Sequence, residues 1–473
     1  MHRTAEQEAV TSLHDLSAVD LIAGYKARQF MPSDVMEDLL AHIAAWEPHI
    51  KALYLFDPDG ARAAAKASTE RWNKGESMGH LDGVPVTIKD NIATKGQPKP
   101  LGAASEPQKP EPADAPPAAR LREAGAIIFS KTTMPDYGML SSGLSSLHPL
   151  TRNPWDLSKN PGGSSAGAGA AAAAGYGPLH LGTDIGGSVR LPSCWCGVVG
   201  LKPSLGRVPI DPPYVGRAAG PMTRTVDDAA LMMSVLSKPD RRDGMSLPPN
   251  DINWKALEKS PRKLRLGLLL DPGVGQALEE PVRVVTVKAA KAFESAGAVV
   301  TEVRGILTRQ MLDGLDNFWR ARMWNEFLKL PPPERGKALP YIYQWAEKAT
   351  KLSGLDVFRG FDVTLDIRAA AAKLFADLDY LISPVSPVVN FGAEFASPIH
   401  DPEKPFEHIC FTVPWNMSEN PAISINGGYD ATGFPIGVQI VGRRFDDLGV
   451  LAMAKTFEGL RGAQRPWPGP PKK

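Results

Sequence analysis

Only three cysteines occur in 473 residues: Cys194, Cys196 and Cys410. That scarcity excludes a disulfide framework and predicts buried thiols in a reducing compartment. Cys194-Trp195-Cys196 is too tightly spaced for a zinc knuckle, and no second cysteine pair completes one. The nine histidines are scattered and form no H-E-x-x-H, so neither a metal site nor a cofactor is expected. Charge of one sign is also lacking. Lys and Arg total 53 against 52 for Asp and Glu, leaving no field to steer the chain toward nucleic acid or a membrane. No apolar run approaches transmembrane length. Met1–Val10 is charged and has no apolar core, so no secretory signal is read there and a cytoplasmic protein is expected. The phosphate-cradling G-x-x-x-x-G-K-[ST] is absent, and the glycines near Gly167 and Gly175 do not complete G-x-G-x-x-G.

What is present fits a soluble globular enzyme: 43% apolar and 22% charged residues, with no internal repeat and no domain linker. Helical periodicity marks the N-terminal part, residues 1–75. Ser17 caps one helix, Pro32 opens another with Val35, Leu39 and Ile43 on one face, and Ala61–Trp72 makes a third. A short β-branched strand then ends at Lys89, and another spans Ala126–Lys131 after a short helix from Ala118. Helix and strand alternate in the α/β manner. A serine-dense loop, Ser141–Ser146, follows; such loops either line sites or simply cross the surface. Ala166–Ala174 reads as a helix packed so closely that only Ala and Gly fit. Further on, a capped helix is predicted from Thr225, a strand over Lys263–Leu269, and a long helix through Ala296. A strand over Asp379–Pro384 comes next, then a loop from Phe411 to Ser424, a strand over Pro435–Gly442 and a last helix from Asp447. Residues 305–375 differ: Trp319, Trp324, Trp345, Phe318, Phe327, Tyr341 and Tyr343 lie on charged helical stretches, as a core or as a lid over a pocket. The Pro-rich tail from Arg465 is expected to be loose.

The chemistry concentrates between Asn160 and Arg207. Pro161-Gly162-Gly163-Ser164-Ser165 and Asp184-Ile185-Gly186-Gly187-Ser188 each deliver a serine from a glycine pair. Glycine lets backbone N–H groups converge beside a hydroxyl, an arrangement that suits an oxyanion hole. Gly163–Gly167 also fits G-x-S-x-G, with Ser165 as nucleophile. No apolar strand precedes it, and only His180, His400 and His408 lie downstream, so that hydrolase elbow is disfavoured. Serine chemistry without histidine remains, and a lysine serves as base where burial lowers its pKa. Taken alone, Lys89 at a strand end reads as a solvated residue. Beside two Gly-Gly-Ser turns it becomes a candidate base.

These three segments together resemble the amidase signature family, and the likeness runs through most of the chain. The resemblance implies a single α/β/α domain over residues 1–473 with a large mixed sheet, a signature core over 80–210, and N-terminal helices that serve a homodimer contact. It implies Ser188 as the acylated nucleophile, Ser164 as a bridging serine on a cis peptide, and Lys89 as general base. Backbone N–H groups of Ile185, Gly186, Gly187 and Ser188 would hold the oxyanion, each donor contributing roughly 3–4 kcal/mol. Asp184 and Arg190 would fix the shape of the turn. Gly138, Met139, Ser141 and Ser142 would meet a small-molecule amide substrate, and the aromatic-rich insert would shape its pocket. The expected reaction is hydrolysis of a small aryl or hydrophobic amide, extending to esters or carbamates. The alternative is an amidotransferase component that hydrolyses glutamine for a partner. Against it, Arg207-Val208-Pro209-Ile210 stands where those amidotransferases carry Arg-Tyr-Gly-Leu.

Overall fold

A computed structural model describes residues 12–471; the charged stretch Met1–Val10 lies outside them. Eleven strands make one mixed sheet. In chain order they are β1 (Leu53–Tyr54), β2 (Pro85–Lys89), β3 (Ile127–Thr132), β4 (Leu179–Asp184), β5 (Val199–Lys202) and β6 (Ala218–Thr223). After them come β7 (Arg265–Asp271), β8 (Val299–Arg304), β9 (Tyr380–Pro384), β10 (Ala422–Tyr429) and β11 (Pro435–Gly442). Their order across the sheet is β1-β3-β2-β4-β6-β5-β10-β11-β9-β7-β8. β2 runs parallel to both β3 and β4, and β7 parallel to both β8 and β9, whereas the strands between are antiparallel. Parallel strands are buried on both faces, and Pro85–Lys89 is buried at every position.

Helices cover both faces. Pro32–Ile50 buries Val35, Leu39 and Ile43, and Pro58–Lys74 packs beside it. Ala166–Ala174 is buried at every position. A Cβ on Gly167 would stand 2.2 Å from the Ala52 carbonyl oxygen, so the helix sits where no larger side chain fits. Val226–Leu236, Glu280–Ser295 and Asp447–Leu460 bury the main core against the sheet. The helices Arg309–Leu328, Pro340–Glu347 and Gly354–Leu374 build a second core of their own around Trp319, Trp345 and Phe327. The aromatic stripes are thus mainly core.

Several features depart from the sequence reading. β6 is one, because Gly220-Pro221 reads as a strand breaker; β5 pairs only with Met222 and Thr223, so Pro221 lies beyond that pairing. β10 replaces the end of an expected loop and pairs on both sides, with β5 and β11. β8, at the sheet edge, has no counterpart in the sequence reading either. Finally, the tail is docked as far as described: Arg224 stacks 4.5 Å from the Trp467 ring centroid, and Trp467 also meets Trp155.

Candidate active site

β2, β3 and β4 are parallel, so Lys89, Thr132 and Asp184 end at one edge of the sheet. In open α/β sheets, ligands bind beyond such carboxyl ends. The segment 133–146 continues from β3, the Gly-Gly-Ser turn before Ala166–Ala174 comes in from one side, and the turn after β4 carries Ser188.

Lys89 is fully buried. Its Nζ donates to Ser164 Oγ at 2.7 Å and to Thr183 Oγ1 at 3.1 Å, and no carboxylate among the described residues pairs with it. Burial above all, then repulsion from Arg217, holds its pKa well below the ordinary lysine value, against the pull of Asp184 and Asp90. Asn91 Nδ2 donates to Thr183 Oγ1 at 3.0 Å and fixes that hydroxyl in turn. The Gly163–Ser164 peptide is cis. Ser165, the candidate of the G-x-S-x-G reading, is an internal tie: its N–H donates to the Ser188 carbonyl at 3.1 Å and its Oγ to the Thr183 carbonyl at 3.2 Å. It has no exposure.

The turn bearing Ser188 is shaped from beneath by an ion pair with no solvent contact. Arg190 Nη2 and Nε donate to the two Asp184 oxygens at 2.9 and 3.0 Å. Asp184 also accepts from the N–H groups of Gly187 and Val189, at 2.8 and 3.1 Å. Asn416, Thr412 and Gln439 satisfy what remains of the guanidinium. Burial alone would raise the Asp184 carboxyl, but the Arg190 charge and these hydrogen bonds hold it below the usual range. Breaking such a pair by removing one partner costs about 3–5 kcal/mol, because a buried charge is stranded.

This network separates the four expected oxyanion donors. The N–H groups of Ile185, Gly186 and Ser188 have no acceptor among the described residues, whereas that of Gly187 is engaged by Asp184. Gly187 turns away from the cavity. Ser188, Ile185 and Gly186 line a cavity of about 440 Å³, counting its open mouth, together with Gly138, Met139 and Ser141. Gly138 has φ +70 and sits against Ser164, since a Cβ there would lie 3.1 Å from its Oγ. Ser142 is not on the wall. It is buried, donates to the Phe395 carbonyl at 2.7 Å and accepts from Asn160, bracing two loops.

The cavity is also lined by residues that sequence reading did not single out for the site: Arg322, Pro405, Phe406, His408 and Ile409, with Trp319 from the aromatic-rich insert. They lie more than a hundred residues from the signature, and no local motif announces them. Among the described residues no group of three or more His, Cys, Asp or Glu could hold a metal ion. The three cysteines are free and buried. His180 is enclosed between Thr87 Oγ1 and the Gly177 carbonyl, and burial pushes its pKa down to about 3. It is a structural residue, not a base. No helix among the described residues is long and apolar enough to cross a membrane.

The sequence profile of the amidase family matches residues 34–451. An acylamidase of Rhodococcus erythropolis is 34% identical over 470 residues, covering 96% of this chain and 97% of that protein. A glutamyl-tRNA(Gln) amidotransferase subunit of Chloroflexus aurantiacus is 33% identical, covering 95% and 98%. Among solved structures, a bacterial aryl acylamidase of the amidase signature family superposes with a TM-score of 0.88 at 28% identity, covering 95% and 97%.

Proposed function

The chain belongs to the amidase family and is an amide-hydrolysing enzyme, and from that premise we propose that Lys89, Ser164 and Ser188 carry out the hydrolysis through an acyl-enzyme. The observation that carries this reading is the buried, carboxylate-free Lys89 amine at 2.7 Å from Ser164 Oγ. A lysine without a counter-ion in such a place is neutral more readily than in water, and a neutral amine accepts a proton. Ser188 Oγ attacks the amide carbon while its proton passes to Ser164 Oγ, and the Ser164 proton passes to Lys89. The free N–H groups of Ile185, Gly186 and Ser188 receive the developing oxyanion. As the C–N bond breaks, the proton returns through Ser164 to the leaving nitrogen. Water then cleaves the ester by the same relay in reverse.

Met139, Leu140, Ile185, Trp319 and Phe406 give the cavity an apolar wall, which favours an aryl or aliphatic group beside the scissile bond. The likeness to an acylamidase and to a bacterial aryl acylamidase supports the same class of substrate. A second reading, a glutamine-hydrolysing component that feeds ammonia to a partner, is favoured by the 33% identity to the Chloroflexus aurantiacus amidotransferase protein. Release of nitroaniline from an acyl nitroanilide by the purified chain alone separates the two. The amidase reading expects turnover that Ser188→Ala lowers by about 10⁴-fold or more. Glutamine hydrolysis only with a partner, and none of anilides, would favour the second reading.

A further inference from the structure

The cavity that Ser188 lines also carries a positive charge with no ion-pair partner among the described residues. Arg322 lines the cavity, is half-buried, and makes no hydrogen bond or ion pair among the described residues. Its guanidinium instead lies over the Tyr214 ring, 4.0 Å from the centroid. Stacking holds a planar fork in place while leaving its N–H groups unspent. Arg217 stands close by, its N–H donating to the Tyr214 carbonyl at 3.0 Å, and it too has no carboxylate partner among the described residues. One side-chain bond, to the Pro212 carbonyl at 3.1 Å, is all that Arg217 makes among them. Burial, and next the repulsion of Arg322, hold the Arg217 pKa down to about 10. Three fully or nearly fully buried arginines elsewhere are matched: Arg190 by Asp184, Arg207 by Asp447, Arg320 by Asp316. The same cavity wall also holds Trp319, whose Nε1–H has no acceptor among the described residues, and His408, neither of whose ring nitrogens has a partner there.

We propose that the cavity takes an amide bearing a carboxylate, which the Arg322 fork receives while the scissile carbonyl lies at Ser188. This rests on the amidase reading and narrows its substrate class from any aryl or hydrophobic amide to an anionic one. A guanidinium and a carboxylate match as two parallel charge-assisted hydrogen bonds, and a partly desolvated site strengthens them. Arg217 adds a second positive charge, and the apolar lining takes the rest of the molecule. An anion in this place compensates both arginines, which is the arrangement that buried charge requires.

The test compares two pairs of anilides that differ only in charge. Glutaric acid monoanilide and valeranilide place or omit a carboxylate on the acyl side; 4-acetamidobenzoate and acetanilide do so on the amine side. Hydrolysis is measured with the wild type, and binding by calorimetry with Ser188→Ala. In one pair the carboxylate is expected to exceed its neutral partner roughly 10- to 100-fold, in kcat/KM and in affinity. Arg322→Gln is expected to collapse that ratio, Arg322→Lys to keep part of it, and Arg217→Gln to reduce it less. Equal handling of both members in both pairs overturns the proposal, as does a ratio that survives Arg322→Gln. If Arg322→Gln does not fold, the lysine variant and Arg217→Gln decide. The two readings fail differently. Cleavage of neutral anilides without any carboxylate preference sinks the anion site and leaves the amidase. No cleavage at all, with carboxylate binding that depends on Arg322, sinks the amidase mechanism and leaves the anion site.

Discussion

Lys89, at the end of its strand, and Lys131, one residue before the end of the neighbouring parallel strand, are one register step apart and both buried, yet their surroundings differ in kind. Lys131 Nζ donates to two backbone carbonyls, those of Ile92 at 2.9 Å and Pro98 at 3.4 Å. Lys89 donates mainly to two hydroxyls. Burial lowers both pKa values, that of Lys131 to about 8. A carbonyl oxygen has no proton to give, so Lys131 tethers a loop and goes no further. A hydroxyl both accepts and donates, so Lys89 is wired to a group that can pass a proton on. A perturbed pKa therefore marks a candidate, and the identity of the acceptor decides whether it does chemistry.

Three variants and one pH profile press on that contrast. The largest effect is expected from Lys89→Met, which removes the amine while keeping much of its volume: a fall in kcat for anilide hydrolysis of about 10³-fold or more. Because only the neutral amine accepts a proton, wild-type kcat is also expected to rise with pH, and to do so well below the ordinary lysine range. A pH–rate profile that is flat, or that falls through this region, would break the contrast. Thr183→Val should act next, since it deletes the second hydroxyl on Lys89 and the one that Asn91 holds. Roughly a tenfold loss of kcat is expected, at the scale of one hydrogen bond to a charged or proton-sharing group. A KM change with constant kcat would move Thr183 to substrate binding.

Lys131→Met should have the smallest effect on rate, with kcat/KM within about threefold of wild type. Its signature is in stability. The folded-state pKa of about 8 lies below the unfolded value, so in between the unfolded chain binds more protons. The charge penalty is fully present below about pH 8 and disappears as pH rises past the unfolded value of about 10. Relative to Lys131→Met, the wild type is expected to gain about 1–3 kcal/mol over that window in urea unfolding. A difference that stays constant with pH would mean that Lys131 is solvated.

The signature segments are legible because their chemistry is local. Two glycine pairs, two serines and the short strand before Lys89 stand within stretches of a few residues, and the Ala/Gly run predicts a helix with no room for side chains. Pro435–Gly442 and the Asp446-capped last helix are legible for the same reason, a clean apolar run and a cap. β6 and β10 are not, because Pro221, Asn420-Pro421 and Gly427-Gly428 all read as breaks. Those strands exist through their neighbours: β6 through five pairs with β4, β10 through β11 and β5. The role of Gly187 is half legible, since the sequence shows a glycine turn but not which N–H Asp184 occupies.

By itself the sequence determined the family, the α/β class and the candidates Lys89, Ser164 and Ser188, because their spacing and glycine context are properties of short segments. The tertiary structure alone decided that Lys89 pairs with hydroxyls and no carboxylate among the described residues, that Asp184 engages the N–H of Gly187, and that Arg322 and Trp319 line the same cavity as Ser188. Those facts depend on burial and on contacts between distant parts of the chain, where charge is compensated or left open by whatever the fold brings near.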